Sequence, residues 1–402
     1  AMSAVALRKA YPRLRPRWNK VLADLWGNRV RTLLVVASVA VGLFAVGMIA
    51  TLHGILVEDM RAGYAAVHPA NIVIQAADFD DEMVELVRDV EGVAQAEGIR
   101  AFDLMVRTGP DEWGRIAVSA IPEEALQAKR LDSEQALPGG DEAAAEPASD
   151  QHPKINQIRL EQGAWPPGSR QIAVDRYKLG EIYLAGQKPI GAAVELKLPS
   201  GKIRRVTLAG VVHDQTVGAG GPGGFFLAPI QGYLSADMLE WLEQPDSYNK
   251  LLVTVTGDSE DDAYLRQVAN RISDAIEEAG GLVYNAQTSG SRDHPNAAYV
   301  DGMTAVLFVL GALVVFLSGF LITNTLAALL NQQAPQIAIM KTVGARSNQV
   351  TGIYMALIFV FGAMALAVSL PLSRQAAYRL LDFLSVEINF KVVSYRTVPL
   401  AV

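Results

Sequence analysis

Gly218, Gly220, Gly221, Gly223 and Gly224 are the residues of this 402-residue chain whose spacing most resembles chemical machinery, because glycine-rich backbone can wrap a phosphate. A phosphate cradle also needs a strand before it, a helix N-terminus after it and, in the Walker form, a Lys followed by Ser or Thr. Here Pro222 interrupts the glycines and Phe225, Phe226 and Leu227 read as extended chain, so the segment is expected to be a surface loop. His53, His68, His152, His213 and His294 lie far apart and form no H-E-x-x-H pair, so metal spacing is absent. Without a single cysteine, the chain has no disulfide, thiolate zinc site, iron–sulfur ligation or thiol nucleophile. Asp80 with Asp81 and Asp261 with Asp262 stand at predicted helix starts, where carboxylates cap free N–H groups and meet the positive end of the dipole. They read as caps, not as acid–base pairs. No catalytic, cofactor-binding or metal-binding residue emerges, and the formal charge of −7 argues against a nucleic-acid partner.

The elements that dominate the chain are apolar. Thr32 to Val57 carries no Asp, Glu, Lys or Arg, and at ~1.5 Å per residue it exceeds the ~30 Å hydrocarbon core. It is too long for the core of a cleaved signal and reads as transmembrane span 1, over 32–57. A second span is expected over 299–330, and a third over 350–372. Residues 1–57 hold eight basic residues against Asp24 alone, which places the N terminus in the cytoplasm. Residues 58–298 then lie outside, with 21 basic and 38 acidic residues. Lys341 and Arg346, with no acid between the second and third spans, fit a cytoplasmic loop over 331–349. The segment 373–397 falls outside again, although it is slightly basic, and Val398 to Val402 read as the start of a truncated fourth span. Ahead of the first span, Trp18, Val21, Leu22, Leu25 and Trp26 recur on one helical face, so residues 1–31 are expected to form an amphipathic helix lying on the lipid membrane surface.

Within 58–298 the periodicity shortens. Asn71 to Gln75, Asp81 to Val90 and Val93 to Ile99 read as strand, helix and strand, and the order recurs with Leu251 to Val255, a helix striped by Leu265, Val268, Ala269, Ile272 and Ile276, and Leu282 to Tyr284. Ser259 and Asp262 suggest a capping box for that second helix. The fold class expected is therefore a multi-pass α-helical membrane protein with a large α+β extracytoplasmic domain. Its split ferredoxin-like βαβ units, 71–131 and 247–287, flank a flexible linker at 132–153 and a β-rich insertion at 154–235.

Gln336 to Val350, with Lys341, Thr342, Val343, Gly344, Ala345 and Arg346 at its centre, resembles the coupling segment of the FtsX-like ABC permease family. The order of elements resembles that family too. Leu160 to Trp165, Arg170 to Asp175, Gly191 to Leu198 and Val206 to Asp214 resemble the MacB-type periplasmic core domain, with an exposed G-x-W and a strand pair ending in G-V-V. Gln333, Ala334, Pro335 and Gln336 depart from the family's charged approach to the coupling helix. The resemblance implies a permease subunit in the bacterial inner membrane that hydrolyses nothing itself. ATP and Mg would be held by a separate cytoplasmic ABC ATPase docking on Gln336, Lys341, Gly344, Ala345 and Arg346. A second permease copy or paralogue would complete a dimer, and an extracytoplasmic adaptor or substrate would meet the outer domain. The function implied is export or extraction of a substrate by mechanotransmission; the alternative is a transmitter that transports nothing and activates an extracellular cell-wall hydrolase.

Overall fold

The computed structural model describes residues 29–129, 154–217, 229–344 and 346–387. The expected surface helix with Trp18, Leu22 and Trp26, the linker at 132–153, the glycine-rich loop, Ala345 and the fourth apolar run lie outside the described residues. Among the described residues the chain forms two compact units, a helical one of residues 29–55 and 301–381 and a mixed one of residues 56–300 and 382–387.

The helical unit is drawn from three helices, α1 (Arg29–Ala66), α5 (Ala297–Thr342) and α6 (Ser347–Glu387), each long and apolar enough to cross a membrane. Val35 and Val36 of α1 pack with Tyr354, Leu357, Phe361 and Ala365 of α6. Phe308, Val309, Phe316, Leu317 and Phe320 of α5 stay exposed, as lipid-facing side chains would. The helices outlast the apolar runs. α6 continues through Pro371 to Glu387, where the sequence suggested a break after Leu372. Buried Ala377, Leu381 and Leu384 explain why, since they keep one packed face while Arg374, Arg379 and Asp382 lower the average hydropathy of the other. Likewise the expected loop at 331–349 is mostly helix. α5 runs through Pro335, which costs a helix interior one backbone donor and is accommodated here, and ends only at Thr342.

In the mixed unit, β1 (Ile72–Phe79), α2 (Asp81–Arg88) and β2 (Val93–Arg107) are followed by β3 (Trp113–Ile121) and the short α3 (Glu123–Ala128). A middle set follows: β4 (Arg159–Gly163), β5 (Gln171–Asp175), β6 (Ala193–Lys197), β7 (Ile203–His213) and β8 (Ile230–Ser235). The chain then returns through β9 (Tyr248–Val255), α4 (Asp262–Glu278) and β10 (Val283–Thr288). The strand order is β10-β1-β9-β2-β3-β8-β5-β7-β4, with β6 bridging β2 and β7. β2 belongs to both halves: residues 93–99 pair with β9, and residues 100–107 pair with β3.

The period-2 pattern of β1 and β9 divides their side chains between two cores. Ile72, Ile74, Leu251 and Val253 face the helices, meeting Val84 and Val87 of α2 and Val268, Ile272 and Ile276 of α4. Leu252 and Ile99 face the other way, joining Ile121, Leu126, Trp165 and Tyr233. A third core, with Val106, Ile116, Ile172, Val194, Leu196 and Leu208, fills the middle set of strands. Asp80 caps α2 by accepting from the Glu82 and Met83 N–H groups. The cap of α4 is Asp261, which accepts from Ala263 and Tyr264, and not the Ser259 and Asp262 box. Ser259 starts too early in the chain, and the nearer carboxylate reaches the free donors first.

The G-x-W segment also differs from its expected exposure. Trp165 is buried and donates its indole N–H to the Leu126 carbonyl at 2.9 Å. Gly163 and Gly210 stand opposite each other in the β4–β7 pair. A Cβ at Gly163 would come 2.1 Å from the Ala209 carbonyl oxygen, and one at Gly210 2.4 Å from that of Ala164, so two backbones meet where any side chain would part them. The short glycine-bearing motif is thus a packing device that seats the tryptophan. Trp165→Phe, which leaves the Leu126 carbonyl without its donor, is expected to cost about 1–3 kcal/mol, read as a lowered urea midpoint of the tryptophan-fluorescence transition.

Candidate functional site

Of the residues singled out for ATPase contact, Lys341, Gly344 and Arg346 lie at the reversal between α5 and α6. Ile339, Lys341 and Val343 are exposed there, Val343 with 84% of its surface and Ile339 with 63%. The Val343 N–H donates to the Ile339 carbonyl at 3.1 Å and the Gly344 N–H to that of Lys341 at 3.0 Å, closing the last turn of the helix. Gly344 has φ +99°, in the left-handed region where a Cβ is strained, and a Cβ built there would meet nothing within 4 Å. Its requirement for glycine is therefore conformational.

Arg346 then caps α6. Its carbonyl accepts from the Gln349 and Val350 N–H groups, and the Gln349 side chain reaches back to the Arg346 N–H at 3.1 Å. That reciprocal pair is half of a capping box, and it makes the reversal a defined turn. Gln336 sits within α5 ahead of that turn, so it belongs to the helix and not to the reversal itself.

A second arrangement, which sequence reasoning missed, lies where the chain enters and leaves the mixed unit. Asn71, just before β1, is buried and uses every polar group it has. Its N–H donates to the Val253 carbonyl and its carbonyl accepts from Ser289, both at 2.8 Å. Its side-chain oxygen accepts from the Val255 N–H at 3.3 Å, and its amide donates to Ser291 Oγ at 2.8 Å. Close by, the Tyr64 and His294 rings lie 5.4 Å apart, and His294 Nδ1 accepts from the Asn296 N–H. Burial pushes the His294 imidazole down to about 4, so it stays neutral at physiological pH. The incoming segment through residues 64–71 and the outgoing segment through 289–296 are thereby tied to each other and to β9. Asn71 and His294 gave no signal in the sequence because a lone Asn and a lone His have meaning only through partners more than 200 residues away.

A third cluster is acidic and buried. Asp175, at the end of β5, accepts from the Tyr177 and Asp214 N–H groups at 2.8 Å each. Asp214 in turn accepts from the Thr216 N–H and hydroxyl and from the Tyr233 hydroxyl, the last at 2.5 Å. Burial, with the Asp214 charge adding to it, pushes the Asp175 carboxyl up to about 7 against the two backbone donors. The arrangement holds the ends of β5, β7 and β8 together. Among the described residues no group of His, Asp and Glu has the geometry of a metal site.

Among solved structures, the chain is similar to the extracellular domain of the noncanonic ABC-type transporter YknZ from Gram-positive bacteria, at 12% identity and TM-score 0.32, covering 54% of this chain and 99% of that one. It is also similar to the periplasmic region of MacB from Actinobacillus actinomycetemcomitans, at 10% identity and TM-score 0.32, covering 55% and 87%. No curated protein matches it. Three helices are each long and apolar enough to cross a membrane, and the resemblance read from Gln336 to Val350 is borne out: residues 308–402 match the FtsX-like permease C-terminal family.

Proposed function

We propose that this chain is the permease subunit of an ABC transporter of the FtsX and MacB type, transmitting the motion of a separate ATPase to its extracytoplasmic domain for export or extraction of a substrate. The observation that carries this reading is the reversal at residues 339–350. It presents exposed apolar Ile339 and Val343 beside exposed Lys341 on a rigid, doubly capped turn, and it falls inside the matched segment. Exposed apolar side chains flanked by a cation suit a shallow protein groove better than they suit water.

In this reading the chain binds no nucleotide. ATP and Mg sit on the cytoplasmic partner, and Lys341, Gly344, Ala345 and Arg346 with Gln336 lie at or next to its contact. The N terminus is cytoplasmic, the acidic residues 58–298 face the outside of a bacterial inner membrane, and a second permease copy completes the assembly. β1, α2 and β2 with β9, α4 and β10 make a split ferredoxin-like unit, since their order β10-β1-β9-β2 with both helices on one face is that topology. The ties at Asn71 let the incoming and outgoing segments move that unit as one body.

Two substitutions separate docking from turn geometry. Val343→Asp leaves the turn's backbone bonds intact and is expected to lower stimulation of the cognate ATPase about tenfold or more in proteoliposomes. Gly344→Trp adds left-handed strain and is expected to abolish it, while membrane insertion, read by protease protection, stays as in the parent chain. Unchanged stimulation in Val343→Asp would overturn the contact.

A further inference from the structure

β10 ends one side of the ten-stranded sheet and β4 ends the other. β4 carries Arg159 and Glu161, charges of the kind that keep a foreign strand from adding to an edge. β10 has no such guard. Val283–Thr288 reads Val-Tyr-Asn-Ala-Gln-Thr, without a proline or a charge, and Tyr284, Asn285, Ala286 and Gln287 are exposed.

The Ser289 N–H donates to the Asn71 carbonyl, which fixes the residues of β10 whose backbone turns toward β1. Such residues alternate in an antiparallel ladder, so Asn285 and Gln287 bond to Gln75 and Val73, and the N–H and C=O groups of Ala286 and Thr288 point away from the sheet. Among the described residues no strand pairs with that side of β10. The ladder slips between Gln75 and Ala76, which makes Tyr284 the extra residue of a bulge and confines the regular open edge to residues 285–288.

We propose that this edge pairs with the same edge of a second copy, antiparallel about a two-fold axis at Gln287, so that Ala286 of each copy exchanges backbone hydrogen bonds with Thr288 of the other. The inference rests on the reading that a second permease copy completes the assembly. In this register both outward residues of each copy find partners. An axis at Ala286 would call on the bulged Tyr284, and one at Thr288 on Gly290, whose carbonyl already accepts from the Asp293 N–H. Three features select a second copy over a free peptide. Residues 58–298 hold 38 acidic against 21 basic residues, so two such units repel, and a neutral segment is where they can touch. Glu260 and Asp293, which crowd Gly290, fall at opposite ends of the pair in the two copies. A two-fold axis also lets one edge be its own complement. Finally, so short a strand pair is marginal in water and needs a tether, and helices long and apolar enough to cross a membrane hold both copies in one bilayer at high effective concentration.

The chain has no cysteine, so a single introduced cysteine reports contact without background. In Gln287→Cys the two thiols face each other across a non-hydrogen-bonded pair, with Cα atoms about 4.5 Å apart and within reach of a disulfide. In Asn285→Cys, on the same face of the strand, the two copies of the residue stand four positions apart, roughly 13 Å. The full chain in proteoliposomes, treated with copper phenanthroline and run on non-reducing gels, is expected to give about tenfold or more cross-linked dimer in Gln287→Cys than in Asn285→Cys. Adding Ala286→Pro, which removes an outward N–H and no bond to β1, should abolish the Gln287→Cys dimer and leave the urea midpoint of the chain where it was. Co-purification of two differently tagged copies measures pairing independently. Copies that co-purify while Gln287→Cys cross-links no better than Asn285→Cys would overturn the edge contact and leave the paired permease standing. Copies that fail to co-purify would overturn both.

Discussion

Lys129→Met is expected to destabilise the mixed unit by roughly 3–5 kcal/mol, because it strands a carboxylate that the fold has taken out of water. Lys129 and Glu97 are 2% and 3% exposed, and the Lys129 Nζ donates to Glu97 Oε2 at 3.0 Å and to the Ile155 carbonyl at 2.6 Å. Burial already pushes the Glu97 carboxyl up, and the Lys129 charge is the main influence pulling it back. Without that charge Glu97 would take up a proton, so the loss should be largest near neutral pH and shrink in acid. Changing both partners, Lys129→Met with Glu97→Leu, should recover most of the stability. The Ile155 carbonyl, left without its donor, keeps the recovery short of complete. Urea titrations of the full chain in detergent, followed by tryptophan fluorescence, read both numbers. A single variant as stable as the parent would show that water reaches the pair.

Neither partner of that ion pair was legible in the sequence. Lys129 follows a six-residue helix and Glu97 sits mid-strand, 32 residues apart, where an isolated Lys and Glu read as solvated. Legibility followed the range of the interaction. The apolar helices could be read because unbroken hydropathy is a local property that the membrane enforces. Their ends could not, since α6 persists past Leu372 by burying Ala377, Leu381 and Leu384 on a face visible only once its partners are placed. The strand and helix alternation at both ends of the mixed unit was legible for the same local reason. The way β2 serves two sheet halves was not, because a run of 15 residues does not announce where its partner changes.

The candidate site divides in the same manner. Lys341, Gly344 and Arg346 are close neighbours in the chain, so a motif could bring them together, although only φ at Gly344 and the back-bond from Gln349 explain why the turn holds. Asn71 with Ser291, and Asp175 with Asp214 and Tyr233, are assembled from distant parts of the outer region. No spacing rule finds such groups. What the sequence did offer was Val206 to Asp214 with its G-V-V, and the structure supplies its reason: Gly210 admits the Ala164 carbonyl of the β4 side, and just past the end of β7 Asp214 anchors β5 and β8.

Asp175 makes stability depend on pH in an unusual direction. Its carboxyl titrates at about 7 in the folded chain and near the ordinary carboxylate value of about 3.9 when unfolded. Between those values the folded state holds a proton that the unfolded state has lost, so stability is fully present below the lower value and declines as pH rises through the upper one. Over the whole interval the linkage amounts to roughly 4 kcal/mol, and roughly 3 kcal/mol of it falls between pH 5 and 8. His294 works the other way. Held neutral down to about 4, it adds stability as pH rises toward its unfolded value of about 6.5, so the two groups offset each other in mild acid. The parent chain alone would therefore show a muted profile, and the difference between it and Asp175→Asn isolates the carboxyl. That substitution turns an amide toward one of the two backbone N–H groups, those of Tyr177 and Asp214, a cost that does not vary with pH and so cancels from the slope. The expected result is that the parent chain loses roughly 3 kcal/mol relative to Asp175→Asn from pH 5 to 8. A difference that stays flat across that range would mean Asp175 is ionised throughout, and that the donors from Tyr177 and Asp214 outweigh burial and the neighbouring carboxylate.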